Sequence, residues 1–571
     1  MARGSADRSP PRSGGRAGLG EWPRTLRRAA WASPLYSLAL GRSAPRDLRL
    51  VPADPWPGDA DRGQALIAGH YSFAGTTSEG EEPLWLPLGA EPEYVAALHS
   101  FEWLRDLRAV GGDGARRHAR RLVDAWIARH DRWHPLAWRA DVLGTRIATW
   151  LGTHDFFCAS ADDAFQDRVF AALARQLRHL MRDAPGEAEG VGRIAALKGL
   201  AFGLLAVPGA EHRLPRALDL LAREVDRQIL PDGGHVSRDP AALMTALRHL
   251  AELRTALRAA RVDMPEGLQH GIDRMAPALR FFRHGDGALA LFHGGGEGGA
   301  LMVDTVLTQA DARGRPLKSA RHSGFERLLA GRTLVVMDVG VPPRGVADQA
   351  HASPLAFELS SGRERMIVNC GPWPGPFSGK EGASWRSALR GTPAHSTLTL
   401  SDTDAVPIDA GPVPAAVPGP VRPPVILKSD RREEDGATAV EAWHDGYVPA
   451  FGLVHGRRLA LAAAGDSLTG EDVLTLPEDG PGHRGGMRFA VRFHLHPACQ
   501  VSLTGAEDSA LIRLAGGTGW WFDAEGAPLT VEESLYFGTG ERRRTRQLVI
   551  SGVTDPEGLH LTWRLRRDRR E

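Results

Sequence analysis

The stretch AHASPLAFELSSGRERMIVNCG, residues 350–371, and the stretch GTPAHSTLTLSD, residues 391–402, carry the most information about the fold. Both contain short runs in which apolar and polar residues alternate, a pattern typical of β-strands. His351, Asn369 and His395 lie at the edges of these runs. Because a sheet brings distant segments side by side, we expect these three side chains to converge on one place.

The alternating pattern continues through the C-terminal half of the chain. Gly, Pro and Asp separate the runs at intervals typical of a sandwich of antiparallel strands. The predicted strands are 332–340, 355–360, 365–371, 396–402, 488–497, 510–514, 547–552 and 559–566. Residues 286–571 are therefore predicted to form a β-sandwich domain.

The preceding part of the chain has a helical period instead. Phe165, Val169, Leu173 and Leu177 recur at intervals of four, and Leu243 begins a similar series. Ala, Leu, Arg and Glu dominate this part, and all four favour helices. Short breaks at Gly and Pro predict antiparallel neighbouring helices, as in a helical toroid or array. Residues 46–285 are therefore predicted as an α-helical domain, which makes the chain an α+β multidomain protein.

Residues 1–45 differ from both domains, because seven arginines lie among Gly, Ser and Pro within residues 1–28. This composition predicts a disordered basic arm. Trp31, Leu35 and Tyr36 add apolar groups, so peripheral contact with an anionic membrane is one option. No stretch approaches the ~18 apolar residues of a membrane span, and none is predicted. The segment lacks a persuasive export signal, so a cytoplasmic location stays open.

Composition excludes several other classes of protein. The chain of 571 residues is long enough for roughly two to four domains. Its 70 basic residues almost balance its 69 acidic ones, so net charge gives no argument for a nucleic-acid partner. The three cysteines are far apart in sequence, and their spacing predicts neither a disulfide framework nor a CxxC metal site. Oligomeric state cannot be predicted from these features.

Several motifs in this order resemble the heparinase II/III-like family. They are WHPLAWRADVLGTRIATWL (133–151), ALKGLAFGLL (196–205), QILPDGGHVSRDP (228–240), AHASPLAFEL, RMIVNCG and PAHSTLTL. The resemblance covers most of residues 50–565. It implies an N-terminal (α/α) toroid, a C-terminal β-sandwich and a lyase that cleaves a uronate-containing acidic polysaccharide by β-elimination. It also implies a cell-envelope or periplasmic location.

The family's sandwich motifs imply a metal site with the ligands His, Asp and His. His351 and His395 match, but the middle position is Asn369. A neutral amide is a poorer zinc ligand than a carboxylate. Two interpretations stay open: a weakened site for zinc or another divalent metal, and two histidines that form hydrogen bonds across strands. Elimination itself requires no cofactor.

The acid and base groups that the resemblance implies are replaced in this sequence. Gln349 stands where the family has a catalytic His, and Ala242 stands where it has a Tyr. Val191 and Gly192 occupy the place of the family's Asn. The substitutes predicted as catalytic residues are His235 as a base, Arg238 as the group that neutralises the substrate carboxylate, and Arg193. Alternatively, His235 caps a helix end and Arg238 pairs with a neighbouring acid.

Four further side chains are predicted to bind substrate in the cleft. They are Arg146, Arg313, His322 and Trp385. Arginine can hold a uronate carboxylate with two parallel hydrogen bonds, and tryptophan can stack on a sugar ring. Most of the 15 tryptophans must nevertheless fill the interior of the protein.

Three functions are therefore under consideration. The first is a polysaccharide lyase, and the second is a catalytically degenerate protein on the same scaffold that binds glycan or assembles envelope polysaccharide. The third and least favoured is a glycoside hydrolase, which needs two carboxylates across a cleft. Asp232 and Asp239 are the candidates for that pair.

Overall fold

The computed structural model describes residues 24–41, 44–89, 91–184, 188–343, 350–376, 379–407, 425–477, 485–504 and 508–568. Gln349, which the sequence places at the family's catalytic histidine, lies outside the described residues, as do residues 1–23 of the predicted arm.

The first half of the chain is helical, apart from one short hairpin of strands β1 (His70–Phe73) and β2 (Thr76–Glu79). Its helices are α1 Arg24–Trp31, α2 Pro34–Leu40, α3 Ala60–Ile67, α4 Pro92–Ser100, α5 Leu104–Val110, α6 Gly112–His130, α7 Ala140–Gly152, α8 His154–Phe157, α9 Asp163–Asp183, α10 Gly190–Ala206, α11 Leu214–Gln228, α12 Pro240–Ala259, α13 Glu266–Phe281 and α14 Ala300–Ala310. No helix among the described residues combines the length and apolarity needed to cross a bilayer.

The centre of the helical region is the crossing of α7 and α10. A Cβ atom added to Gly199 would lie 2.1 Å from the carbonyl oxygen of Gly144, so the two backbones are in direct contact. Helix α10 is buried along almost its whole length, because α7, α11 and α12 pack around it. Its sequence, ALKGLAFGLL, is accordingly apolar on all sides rather than on one stripe.

The helical region extends beyond the predicted limits at both ends. Helices α1 and α2 lie inside the segment predicted as a disordered arm. The hydroxyl of Tyr36 lies 2.7 Å from His179 Nδ1, and Trp31 packs against the same ring. At the other end, α14 lies after residue 285 and packs against α12 through Val303 and Val306. Local composition did not reveal these contacts, because they are formed with distant residues.

The second half is a sandwich of two antiparallel sheets, as predicted. The strands of the nine-stranded sheet are, in spatial order, β17 Leu529–Tyr536, β18 Arg543–Val553, β13 Arg488–Leu495, β7 Glu364–Val368, β6 Phe357–Ser361, β5 Thr333–Asp338, β4 Phe325–Ala330 and β3 Ser319–Ala320, with β8 Leu398–Leu400 paired to β13. The strands of the eight-stranded sheet are β14 Gln500–Leu503, β15 Ser509–Arg513, β16 Gly519–Glu525, β19 Leu559–Arg567, β12 Ser467–Thr475, β11 Val454–Leu461, β10 Ala437–His444 and β9 Ile426–Glu434. Helices α15 Gly379–Arg390 and α16 Val448–Phe451 lie in the connections.

Strand β5 joins the two hydrophobic cores, and all six of its residues are buried. Val335 and Met337 face the core between the two sheets, whereas Leu334 and Val336 face the helical core. The nine-stranded sheet is therefore covered on both faces, and the helices pack on the face away from the sandwich core. This arrangement places the turn between α11 and α12 beside the end of β5.

Candidate functional site

His351 and His395, which the sequence predicts to converge, are in contact in the structure. His351 Nδ1 lies 3.1 Å from His395 Nε2, and both rings are buried. His395 Nδ1 lies 2.9 Å from the carbonyl oxygen of Gly391, to which it donates. His395 Nε2 must then be unprotonated, so His351 donates to it. Burial lowers the pKa of His395 to about 4 and lowers that of His351 well below its ordinary value, so both rings are neutral at pH 7.

Asn369 uses its amide group on other partners. Its Nδ2 donates to the carbonyl oxygen of Leu291 at 2.9 Å and to Glu358 Oε1 at 3.3 Å. Its Oδ1 accepts from the backbone N–H of Ser396 at 3.1 Å. The amide therefore ties β7 to the loop at Leu291 and to the segment before β8.

These residues do not fit a zinc ion. Zinc in proteins is usually held by three or four His, Cys, Asp or Glu ligands with free electron pairs. Here one histidine nitrogen already accepts from the other ring, and the oxygen of Asn369 already accepts from Ser396. Among the described residues no group of three such ligands is close enough together to hold a metal.

Arg238 lies at the junction between the helical region and the nine-stranded sheet. Its five N–H groups have five acceptors or polar neighbours, which are the carbonyl oxygens of Ser323, Gly324 and Val341, the carboxylate of Asp338 and the ring of His293. The guanidinium also lies 4.5 Å from the centre of the Phe325 ring. Arg238 has a positive φ of 60°, and this backbone conformation directs the turn toward the sheet. Four of its N–H groups donate to protein oxygens, and the guanidinium is enclosed by protein, since the residue is only 6% exposed.

His235 is fixed by its own turn. Its Nδ1 lies 2.6 Å from Ser237 Oγ and its Nε2 lies 2.9 Å from Gln228 Oε1. The ring is 4% exposed, and burial lowers its pKa to about 4. A general base needs a free nitrogen within reach of the proton that it abstracts. Both nitrogens of His235 are occupied, so the structure places this residue in a supporting position.

Asp338 is the centre of the junction. Its carboxylate accepts from Arg238, from the backbone N–H of Gly340 at 3.0 Å and from Ser353 Oγ at 3.2 Å, and it lies 2.9 Å from His293 Nε2. Burial alone would raise the pKa of this carboxyl, but Arg238 and His293 outweigh it and lower the pKa to about 2. This buried, charged cluster attaches the end of β5 to the helical region.

The two other predicted arginines of the helical region are also used internally. Arg193 Nε lies 3.2 Å from Glu224 Oε2, and its side chain is 24% exposed. Arg146 is fully buried and donates to Gln176 Oε1 and to the carbonyl oxygens of His99 and Ala137. Burial lowers the pKa of Arg146 to about 9. The structure therefore places Arg146 in the interior of the helical region.

Arg313, His322 and Trp385 are at the surface, but they are not brought together with Arg146. Arg313 and His322 are exposed, and the backbone N–H of His322 donates to Asp232 Oδ2 at 2.8 Å. Trp385 is half-buried on α15 and stacks on Trp373 with ring centres 5.5 Å apart. This parallel pair is an aromatic platform on the sandwich domain.

The two carboxylates considered for hydrolysis have structural roles. Asp232 accepts from the backbone N–H groups of His322 and Ser323, and this contact docks the α11–α12 turn on the sandwich domain. Asp239 accepts from the backbone N–H of Ala241 at 2.7 Å and so caps α12.

A cleft in the helical region contains charged residues that the sequence analysis did not select. Two adjoining cavities of about 260 and 490 Å³ share Ala97, Ser100, Glu102 and Arg248. Glu102 Oε1 lies 2.6 Å from Arg248 Nη2 and 2.5 Å from Arg105 Nη1. Trp103, Phe73 and Met302 line the larger cavity, and Gly192, Asp141 and His249 line the smaller one. Gly192 is one of the two positions that match the family's catalytic Asn.

Two side chains of this cleft have a buried polar atom without a hydrogen-bond partner among the described residues: Arg248 at Nε and His249 at Nδ1. The ring of His249 is 3% exposed. Burial, followed by the charges of Lys198 and Arg248, lowers the pKa of His249 well below its ordinary value. Lys198 is itself paired with Glu252 at 2.9 Å beneath the cleft. The imidazole is therefore neutral at pH 7 and has one nitrogen without a protein partner, and the Arg248 guanidinium lies beside it on Glu102.

One sequence signal does point to this cleft. Lys198 interrupts an otherwise apolar helix, and Glu252 interrupts the leucine series of α12. Charged residues at core positions of two helices indicate a buried pair where the helices meet. His249 and Arg248 lie one turn before Glu252 on α12. The predicted Lys198–Glu252 pair therefore also indicates that these two side chains lie close to it.

A helical region joined in this way to a two-sheet sandwich is the architecture of a class of polysaccharide lyases. Heparinase III matches the structure with a TM-score of 0.71 at 14% identity, covering 93% of this chain and 88% of that chain. Heparan sulfate lyase HepC from Pedobacter heparinus matches with a TM-score of 0.59 at 14% identity, covering 93% and 87%. These matches confirm the predicted toroid and sandwich.

Sequence comparison gives the family. Residues 312–564 match the family model described as Heparinase II/III-like, C-terminal. FtsZ-localized protein C of Caulobacter vibrioides (strain NA1000 / CB15N) is 34% identical over 555 residues, which cover 95% of this chain and 94% of that protein. The chain belongs to the heparinase II/III-like family, as its motifs predicted.

Proposed function

We propose that this protein is a binding protein on a polysaccharide-lyase scaffold, which holds a saccharide segment in the helical cleft without cleaving it. One observation carries this proposal: the polar groups of His235 and Arg238, which the sequence offered as catalytic, are occupied by protein partners. The name of the relative, FtsZ-localized protein C, supports localisation with FtsZ. We therefore also propose that the chain is recruited to FtsZ-containing structures.

The chemistry of elimination explains why these contacts matter. A base must remove the proton from the carbon next to the uronate carboxylate, and a cation must neutralise that carboxylate. The carbon–oxygen bond to the leaving sugar then breaks, and an acid protonates the leaving oxygen. Releasing Arg238 for this purpose would leave Asp338 buried without its main partner, at a cost of about 3–5 kcal/mol. Substrate binding would have to supply that free energy.

The free nitrogen of His249 favours a second candidate, a lyase with a relocated base. In that reaction His249 Nδ1 takes the proton, and Arg248 exchanges Glu102 for the carboxylate of the substrate. The imidazolium of His249 then returns that proton to the leaving oxygen, so that the proton balance is closed within the site. The two candidates differ in a single product, the unsaturated uronate that elimination leaves at the new chain end.

The deciding experiment combines an activity assay and a binding assay on the full chain. Heparin, heparan sulfate, alginate and xanthan are incubated with the protein, and the ultraviolet absorbance of unsaturated uronate is followed. We expect no absorbance change, together with binding of at least one polysaccharide that Arg248→Ala weakens. Arg567→Ala, an exposed arginine of β19 outside the cleft, is the matched control and leaves binding unchanged.

Two outcomes would contradict the binding proposal. An absorbance increase that His249→Ala abolishes and His322→Ala preserves would establish the lyase candidate instead. Binding that Arg248→Ala and Arg567→Ala weaken equally would remove the cleft as the binding site. Recruitment is tested separately by sedimentation with FtsZ polymers, in which the protein should appear in the pellet only when FtsZ is polymerised.

A further inference from the structure

A groove of about 850 Å³ lies on the sandwich domain and has no part in the sites described above. We call it the arginine groove. It is lined by Arg542, which precedes β18, by Arg544 and Arg546 in the first half of β18, by Glu533 and Leu535 of β17, and by Pro497 and Cys499.

Arg544 and Arg546 continue the core-facing side of β18. Leu548 and Ile550, which are fully buried between the two sheets, have the same parity as Arg544 and Arg546. Side chains two residues apart lie on one face of a strand. The face that is apolar in the second half of β18 is therefore basic in its first half, where the strand leaves the core and forms the groove.

These arginines are not neutralised by the protein. All three are exposed, and none forms an ion pair with any residue that the structure describes. Glu533 lies opposite Arg546 in the strand register, yet the two do not come within ion-pair distance. With three positive charges and one negative charge on its walls, the groove is complementary to an anion.

The position of β17 indicates an extended occupant. It is the edge strand of the nine-stranded sheet, and among the described strands only β18 pairs with it. Its outer backbone N–H and C=O groups can therefore pair with an added strand. Alternate side chains of such a strand would repeat every ~6.7 Å, which is also the spacing of Arg544 and Arg546 along β18.

We propose that the arginine groove binds an acidic peptide segment of a partner protein in extended conformation. The peptide adds to the free edge of β17, and its carboxylates at alternate positions meet the successive arginines. Guanidinium and carboxylate groups can form two parallel hydrogen bonds. Leu535 and Pro497 provide an apolar wall for the side chains between or beside the acidic ones. An acidic polysaccharide would satisfy the charge but not the backbone edge, so the peptide is the occupant that explains both.

The test compares two labelled peptides of about eight residues that have the same composition. In one, Glu and Val alternate; in the other, the Glu residues form one block and the Val residues another. Fluorescence anisotropy with the full chain is expected to show at least about ten-fold tighter binding of the alternating peptide. The double variant Arg544→Glu, Arg546→Glu should abolish this binding, whereas Arg567→Glu on the other sheet should preserve it.

Three results would overturn the proposal. Absence of binding by either peptide would mean that the arginines only protect the sheet edge from aggregation, a known use of charged residues near edge strands. Equal binding of both peptides would show attraction by charge without an added strand. Heparin that binds to the groove and is displaced by neither peptide would assign the arginines to a polysaccharide. Circular dichroism of each variant verifies that the sandwich is folded.

Discussion

The arginines at two places on the nine-stranded sheet, near β5 and near β17, differ in their burial and in their hydrogen-bond partners. At the junction near β5, Arg238 is buried and four of its five N–H groups donate to oxygen atoms of the protein. In the arginine groove near β17, Arg544 and Arg546 are exposed and form no ion pair with described residues. The presence of arginine alone therefore does not identify a binding site. What distinguishes a site is whether the donors are already satisfied.

The largest effect is expected at the junction. Arg238→Ala would leave Asp338 buried with an uncompensated charge, so we expect a loss of about 3–5 kcal/mol in the free energy of unfolding, measured in urea. Arg193→Ala removes a partly exposed ion pair with Glu224 and should cost under about 1 kcal/mol. If the two variants were equally stable, the buried cluster would not be what joins the helical region to the sheet.

The second largest effect expected is a dependence of the free energy of unfolding on pH, caused by His235. Its pKa of about 4 in the folded chain lies below the ordinary value of 6.5, so the unfolded chain binds the proton more tightly. Stability from this group is therefore complete above pH 6.5 and is lost as the pH falls toward 4, by roughly 3 kcal/mol. His235→Asn should reduce the loss of stability between these pH values by about that amount. The exposed His322→Asn is the control, and an unchanged slope in His235→Asn would show that the imidazole is not kept neutral.

The sequence predicted the order of the domains and the eight named strands because alternation and helical period are local patterns. It could not predict that β5 is buried on both faces, since that depends on helices packing from the other side. The same limit applies to the site. Arg238 and His235 were selected for their chemistry, but their partners at Asp338, Ser323 and Gln228 become visible only after folding. The cleft at His249 was missed because its lining comes from several separate helices.

A smaller effect is expected on restoring the family's acidic residue at position 369. Asn369→Asp removes the donors to Leu291 and Glu358 and places a second carboxylate beside Glu358. We expect a loss of about 2 kcal/mol at pH 7, because a buried acceptor is left unpaired and like charges are close. Added zinc should leave the melting temperature of this variant unchanged. A zinc-dependent rise in that temperature would show instead that His351 and His395 separate to coordinate the ion.

The smallest effect on stability is expected in the arginine groove. Replacing Arg542, Arg544 and Arg546 by Ala removes three charges that are exposed and form no ion pair with described residues, so the free energy of unfolding should change by under about 0.5 kcal/mol. So small a change in the free energy of unfolding is expected of a surface that binds a partner but does not stabilise the fold. A loss comparable to that of Arg238→Ala would mean that the aliphatic stems of these arginines cover the end of the sandwich core. In that case both arginine regions would stabilise the fold, and the groove would be explained by packing rather than by binding.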